Sequence, residues 1–67
     1  MTDAIRIQKM NTLLKMFTSE GYPPYVEHSS FGYVFWHRPG LMIAVTREIE
    51  DMETTVNDFT TGVQANA

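Results

Sequence analysis

His28 and His37, with Glu27 beside the first, are the only imidazoles in the chain and the first place to look for chemistry. Two histidines could begin a metal site, but zinc centres assemble three or four ligands, and no third donor is placed with this pair. The chain has no cysteine, which removes thiolate ligation, thiol nucleophiles and disulfides together. It also lacks a Gly-x-Ser-x-Gly elbow, a phosphate-binding glycine loop and a His-Glu-x-x-His pair. We expect no catalytic residue, no metal and no cofactor, and read the chain as not an enzyme.

Carboxylates are the other reactive type. Glu48, Glu50, Asp51, Glu53 and Asp58 follow one another with no base after Arg47. General acid–base work needs a pocket that moves a pKa, and nothing in the run implies one, so it reads as solvated charge. It has one functional alternative, a patch of fixed negative charge that imitates a phosphate backbone and occupies a basic groove on another protein.

The formal charge is -3 with a pI near 5.1, and the bases Arg6, Lys9 and Lys15 lie at the other end of the chain. Affinity for nucleic acid driven by phosphates needs several clustered Lys or Arg, so the balance argues against it. No apolar run approaches the ~20 residues of a membrane span. The N-terminus lacks the apolar core of a secretion signal, so the numbered chain reads as the mature protein, and the cytoplasm is the expected compartment.

What remains is an apolar and aromatic stretch, Phe31 to Ile49, around Arg38-Pro39-Gly40. It predicts a hairpin. Strand side chains alternate, so Val34 and Trp36 share one face while Phe31, Tyr33, Phe35 and His37 share the other. Pro-Gly suits a type II turn whose twist fits a two-residue hairpin poorly, which favours a four-residue loop, His37 to Gly40. Either length sets Val34 and Trp36 with Leu41, Ile43 and Val45, a wholly apolar face and the expected core. A three-residue loop inverts that assignment. Tyr33, Phe35, His37, Met42, Ala44, Thr46 and Glu48 then form the expected wet face.

Helical spacing of Ile7, Met10, Leu13, Leu14 and Phe17 predicts a first helix from Ala4 to Ser19, capped by Thr2 or Asp3 and stopped at Gly21. Pro23-Pro24 forces an extended connection, and residues 25 to 30 predict an edge strand. A second stripe, Ile49, Met52, Val56, Phe59 and Val63, predicts a helix from Asp51 to Thr61 ended by Gly62 and dependent on packing, with residues 63–67 a frayed tail.

The fold class is therefore α+β: a single domain over residues 1–67, a three-stranded antiparallel meander with an N-terminal and a C-terminal helix on one face. Double-stranded-RNA-binding domains share that order and length, and the GYPPY segment resembles their entry to the first strand. Those domains carry a lysine cluster at the start of the second helix, where this chain has Glu48, Glu50, Asp51 and Glu53. The likeness is one of topology.

Aromatic and methionine side chains concentrate at the centres of protein interfaces. Tyr33, Phe35 and Met42, joined by Tyr25 or Tyr22 and with His37 and Arg38 at the rim, are thus the expected docking surface of a small noncatalytic regulator or inhibitor that covers part of a larger host or cellular protein. Chains of this kind are frequent among phage and mobile-element accessory proteins. Self-association into a homodimer through the same face is a second use. The rival reading is nucleic-acid binding, with Tyr33 and Phe35 stacked on bases and Arg6, Lys9 and Lys15 on phosphates.

Overall fold

A computed structural model describes residues 3–18 and 20–65. The order is α1 (Asp3–Leu14), one 3-10 turn (Lys15–Phe17), β1 (Tyr25–Ser29), β2 (Gly32–Arg38), β3 (Leu41–Thr46) and α2 (Ile49–Ala65). The strands form one antiparallel sheet in the order β1-β2-β3, and the helices pack on one side of it. This is the α+β meander predicted above.

Glu20 and Gly21, with φ of 55° and 83°, turn the chain out of the first helix. Thr2, Ser19, Asn66 and Ala67, on which parts of the predicted cap, helix end and tail fall, lie outside the described residues. The second helix starts at Ile49 and runs through Gly62 rather than ending there. Three of its threonines, poor helix formers in the interior, turn their hydroxyls back on the helix: Thr54 donates to Glu50 O, Thr55 to Asp51 O and Thr60 to Asn57 O. Glu50 and Asp51 place negative charge on its positive end.

The hairpin loop has two residues, not four, because Arg38 pairs with Leu41. Pro39 and Gly40, with Gly40 at a φ of 85°, fit a type II turn. Its poor match to strand twist is absorbed next door, where the register shifts between Phe35 and Trp36 and again between Trp36 and Arg38. One consequence is that Met42, not Ile43, stands opposite Trp36.

The two sheet faces are exchanged relative to expectation. Tyr33 and Phe35 are buried beneath the helices with Val26, Met10, Leu14, Ile49, Met52 and Val56, while Ile7, Ala44 and Phe59 close the edges. Phe59 meets Phe35 edge to face at 5.3 Å and Phe17 at 6.1 Å. Val34 is buried as well, but on the opposite face, between its cross-strand partners Glu27 and Val45. The register explains the exchange. Glu27 pairs with Val34 and Val26 with Phe35, so a carboxylate falls on the face that β2 and β3 alone make apolar. Sealing that carboxylate under helices without a cation costs several kcal/mol, on the order of the penalty for a buried unpaired charge. Ala44 and Thr46 are also the small side chains of β3, and they leave room for α2 against the sheet.

Candidate functional site

The open face of the sheet is built from Tyr25 and Glu27 on β1, Val34 and Trp36 on β2, and Met42 and Val45 on β3, side by side through the strand register. Trp36 and Tyr25 are directly opposed and stack with centroids 6.4 Å apart. The indole Nε1 donates to Glu27 Oε1 at 2.8 Å. A ring held by both a stack and a hydrogen bond has little rotamer freedom left to lose on binding. Met42, Ile43, Leu41 and Val45 beside it are all exposed. Among the described residues no helix covers this side.

The residues expected to dock a partner separate. Tyr33 and Phe35 are core and offer nothing to a partner, so the aromatic wet face assigned to them is corrected to the core face. Met42 is exposed, but it belongs beside Trp36 on the other face. His37 lies at the register shift next to the turn, half-buried, and its Nδ1 is enclosed without a hydrogen-bond partner. Arg38 is exposed beside the turn, 3.5 Å from Glu20. Sequence reasoning placed Tyr25 on the docking surface but missed Trp36, which it assigned to the core. The signal was Glu27, whose charge marks which face β1 turns to water.

Tyr33 is anchored at its far end, where its hydroxyl donates to Asp3 Oδ2 at 2.8 Å and His28 stacks on its ring at 4.6 Å. The hydrogen bond to Asp3, followed by burial and the nearby negative charge, raises the phenol pKa above its ordinary value. His28 sits opposite Tyr33, whereas His37 is four residues further along β2, roughly 13 Å at strand spacing. The two imidazoles are therefore too far apart to share an ion. Among the described residues no group of three or more His, Asp or Glu is placed to hold a metal.

The acidic run is partly neutralised from the other helix. Arg6 Nε donates to Glu53 Oε2 at 3.1 Å, Nη2 bonds Glu53 Oε1, and Nη1 lies 3.7 Å from Glu50. This bidentate contact fixes α1 against α2. It takes Glu50 and Glu53 out of the free charge and leaves Glu48, Asp51 and Asp58 exposed, so an imitation of a phosphate backbone loses two of its five groups. It also takes Arg6 out of the set proposed for phosphate contact, and burial removes Tyr33 and Phe35 as base-stacking platforms. Lys9 borders a shallow open groove between the helices with Met10, Leu13, Glu53, Val56 and Asn57.

The hydrogen bond from Arg6, together with its charge, holds the Glu53 carboxyl below the ordinary 4.5. A carboxyl depressed in the folded state stabilises the fold above its unfolded pKa, and that contribution is lost as pH falls through the folded value. Glu53→Gln is therefore expected to melt lower than the wild type at pH 7, with the gap closing below about pH 4. Thermal melts followed by circular dichroism across that range check it. A gap that persists undiminished at the acid end would show that the ion pair is not its source.

No described helix is long and apolar enough to cross a membrane. Comparison with protein families, with curated proteins and with solved structures finds no match.

Proposed function

We propose that this chain is a noncatalytic protein-binding module, a small cytoplasmic regulator or inhibitor of the phage or mobile-element accessory type, which lays the open face of its sheet over a functional surface of a larger protein. The observation that carries the reading is the pre-set ring pair Trp36 and Tyr25, held by Glu27 and flanked by exposed Met42 and Val45 on a face that no helix among the described residues covers. Tryptophan and tyrosine dominate the energetics of protein interfaces, and a monomer spends such an exposed apolar patch for little else.

The docking residues are accordingly Trp36, Tyr25 and Met42, with Arg38 at the rim. Trp36→Ala removes the ring without opening the core cluster, to which Trp36 does not belong. The variant should keep a cooperative melt and lose affinity for a captured partner by on the order of 2 kcal/mol, about thirtyfold. Affinity capture with wild-type and variant chains in parallel, followed by titration of the recovered protein, measures this. A partner that binds both chains equally would remove the open face from the proposal.

A further inference from the structure

Both outer strands of a three-stranded sheet present backbone groups that a further strand could pair with, and proteins block such edges. Among the described residues only one is blocked. Asn11 of α1 lies along β1, donating from Nδ2 to Val26 O at 3.0 Å and accepting the Val26 N–H on Oδ1 at 2.7 Å. Its amide occupies the place another strand's peptide group would take. On the other edge, β3 reads Leu-Met-Ile-Ala-Val-Thr, with no charge and no proline, and Leu41, Met42, Ile43 and Val45 are between 40% and 54% exposed.

The direction of the β3 backbone groups follows from the same bond. In an antiparallel ladder, outward and inward residues alternate along each strand. Val26 points its groups out to Asn11, so its neighbour Glu27 bonds Val34, and Tyr33 and Phe35 bond the next strand at Thr46 and Ala44. Val45, between those two, therefore turns its N–H and C=O to the open edge. Among the described residues no side chain meets them there.

We propose that β3 pairs antiparallel with β3 of a second copy, joining two three-stranded sheets into one of six strands with a continuous open face. An antiparallel strand is complementary to itself under a two-fold axis, so one patch serves both partners. Antiparallel pairing sets the end of β3 preceded by Arg38 beside the partner's other end, where Arg47 is followed by the exposed Glu48. Among the described residues Arg38 lies against only one exposed carboxylate of its own chain, Glu20. Growth stops at two copies because the new sheet ends on two β1 edges, each occupied by Asn11. Pairing brings the exposed apolar side chains Leu41, Met42, Ile43 and Val45 of the two copies alongside one another. The inference does not rest on the proposed partner, since it concerns the edge of β3 rather than the rings of the open face.

Sedimentation equilibrium of the wild-type chain over concentrations up to roughly 1 mM, with amide hydrogen exchange read residue by residue, tests the proposal. The expected result is a species of twice the 7.7 kDa chain mass, in which the Val45 amide is protected and loses protection on dilution together with the dimer. Val45→Lys should weaken association at least tenfold; should that variant not fold, the wild-type exchange data decide alone. A single-chain mass throughout, a species larger than two chains, a dimer whose Val45 amide exchanges freely, or a folded Val45→Lys chain that associates as before would each overturn it.

Discussion

Phe35→Ala is expected to unfold most of the chain at room temperature rather than to weaken a contact with a partner. Phe35 is fully buried, its ring meets Phe59 at 5.3 Å, and it lies at the centre of the cluster formed by Leu14, Met52 and Val56. Replacing a buried phenylalanine by alanine costs about 3–5 kcal/mol in lost transfer energy and residual cavity. A single core of this size supplies roughly 3–5 kcal/mol of net stability, and no disulfide adds to it here. The substitution removes a comparable amount. Urea or thermal denaturation followed by circular dichroism should show the cooperative transition lost or moved to very low denaturant, whereas Trp36→Ala should keep it. A Phe35→Ala chain that melts within a few degrees of wild type would return this ring to the surface and restore the opposite assignment of the faces.

That pair of substitutions isolates what the sequence could and could not settle. The order of elements was legible because each carries a local signal: helical stripes, paired prolines, an apolar stretch around Pro39-Gly40. The alternation within β2 was legible too, since Tyr33 and Phe35 do share one face and Val34 and Trp36 the other. Which face is inside is a tertiary question, and polarity counted over β2 and β3 alone pointed the wrong way. The deciding charge, Glu27, lies on β1, and its face depends on a register that no local pattern in β1 specifies. The two-residue turn was misjudged for a related reason. Its twist mismatch is real, but a register shift at Trp36 absorbs it at the cost of reordering β3, and bulges leave little trace in composition.

The candidate surface suffered from the same error, while other parts of it were out of reach. Arg6 stood out as a base off the first stripe, but its pairing with Glu53 joins residues 47 apart in sequence and appears only when the helices cross. Asn11 lies off the stripe of Ile7, Met10, Leu13, Leu14 and Phe17, and its contact with Val26 depends on how α1 lies along the sheet. Neither contact is encoded in spacing along one element. Both emerge from packing, which is why a surface derived from periodicity alone placed the core aromatics outside.

Gly32→Ala should be the most damaging single methyl that can be added to this chain. Gly32 opens β2 at a φ of 141°, a conformation L side chains rarely adopt, and a Cβ there would lie 2.4 Å from the carbonyl oxygen of Thr46 and 3.3 Å from its carbon. That contact is with backbone, so no rotamer change relieves it. The Thr46 carbonyl belongs to the last residue of β3, and pushing it away opens the β2–β3 ladder at the end from which the chain enters α2. Ser29 would move with it, since its Oγ donates to Gly32 O at 3.1 Å and it also pairs with Gly32 across the first hairpin. Backbone strain of this kind costs about 1–3 kcal/mol before the steric clash is added, and the total is expected to exceed about 3 kcal/mol. Gly62→Ala is the control: a Cβ there meets nothing within 4 Å, and in a helix alanine is favoured over glycine, so stability should rise by about 0.5 kcal/mol. Denaturation midpoints of the two variants should therefore move in opposite directions from wild type. A Gly32→Ala chain as stable as its parent would mean that β2 and β3 do not meet as closely at this corner as the sheet requires, and the edge and face assignments built on that register would fall with it.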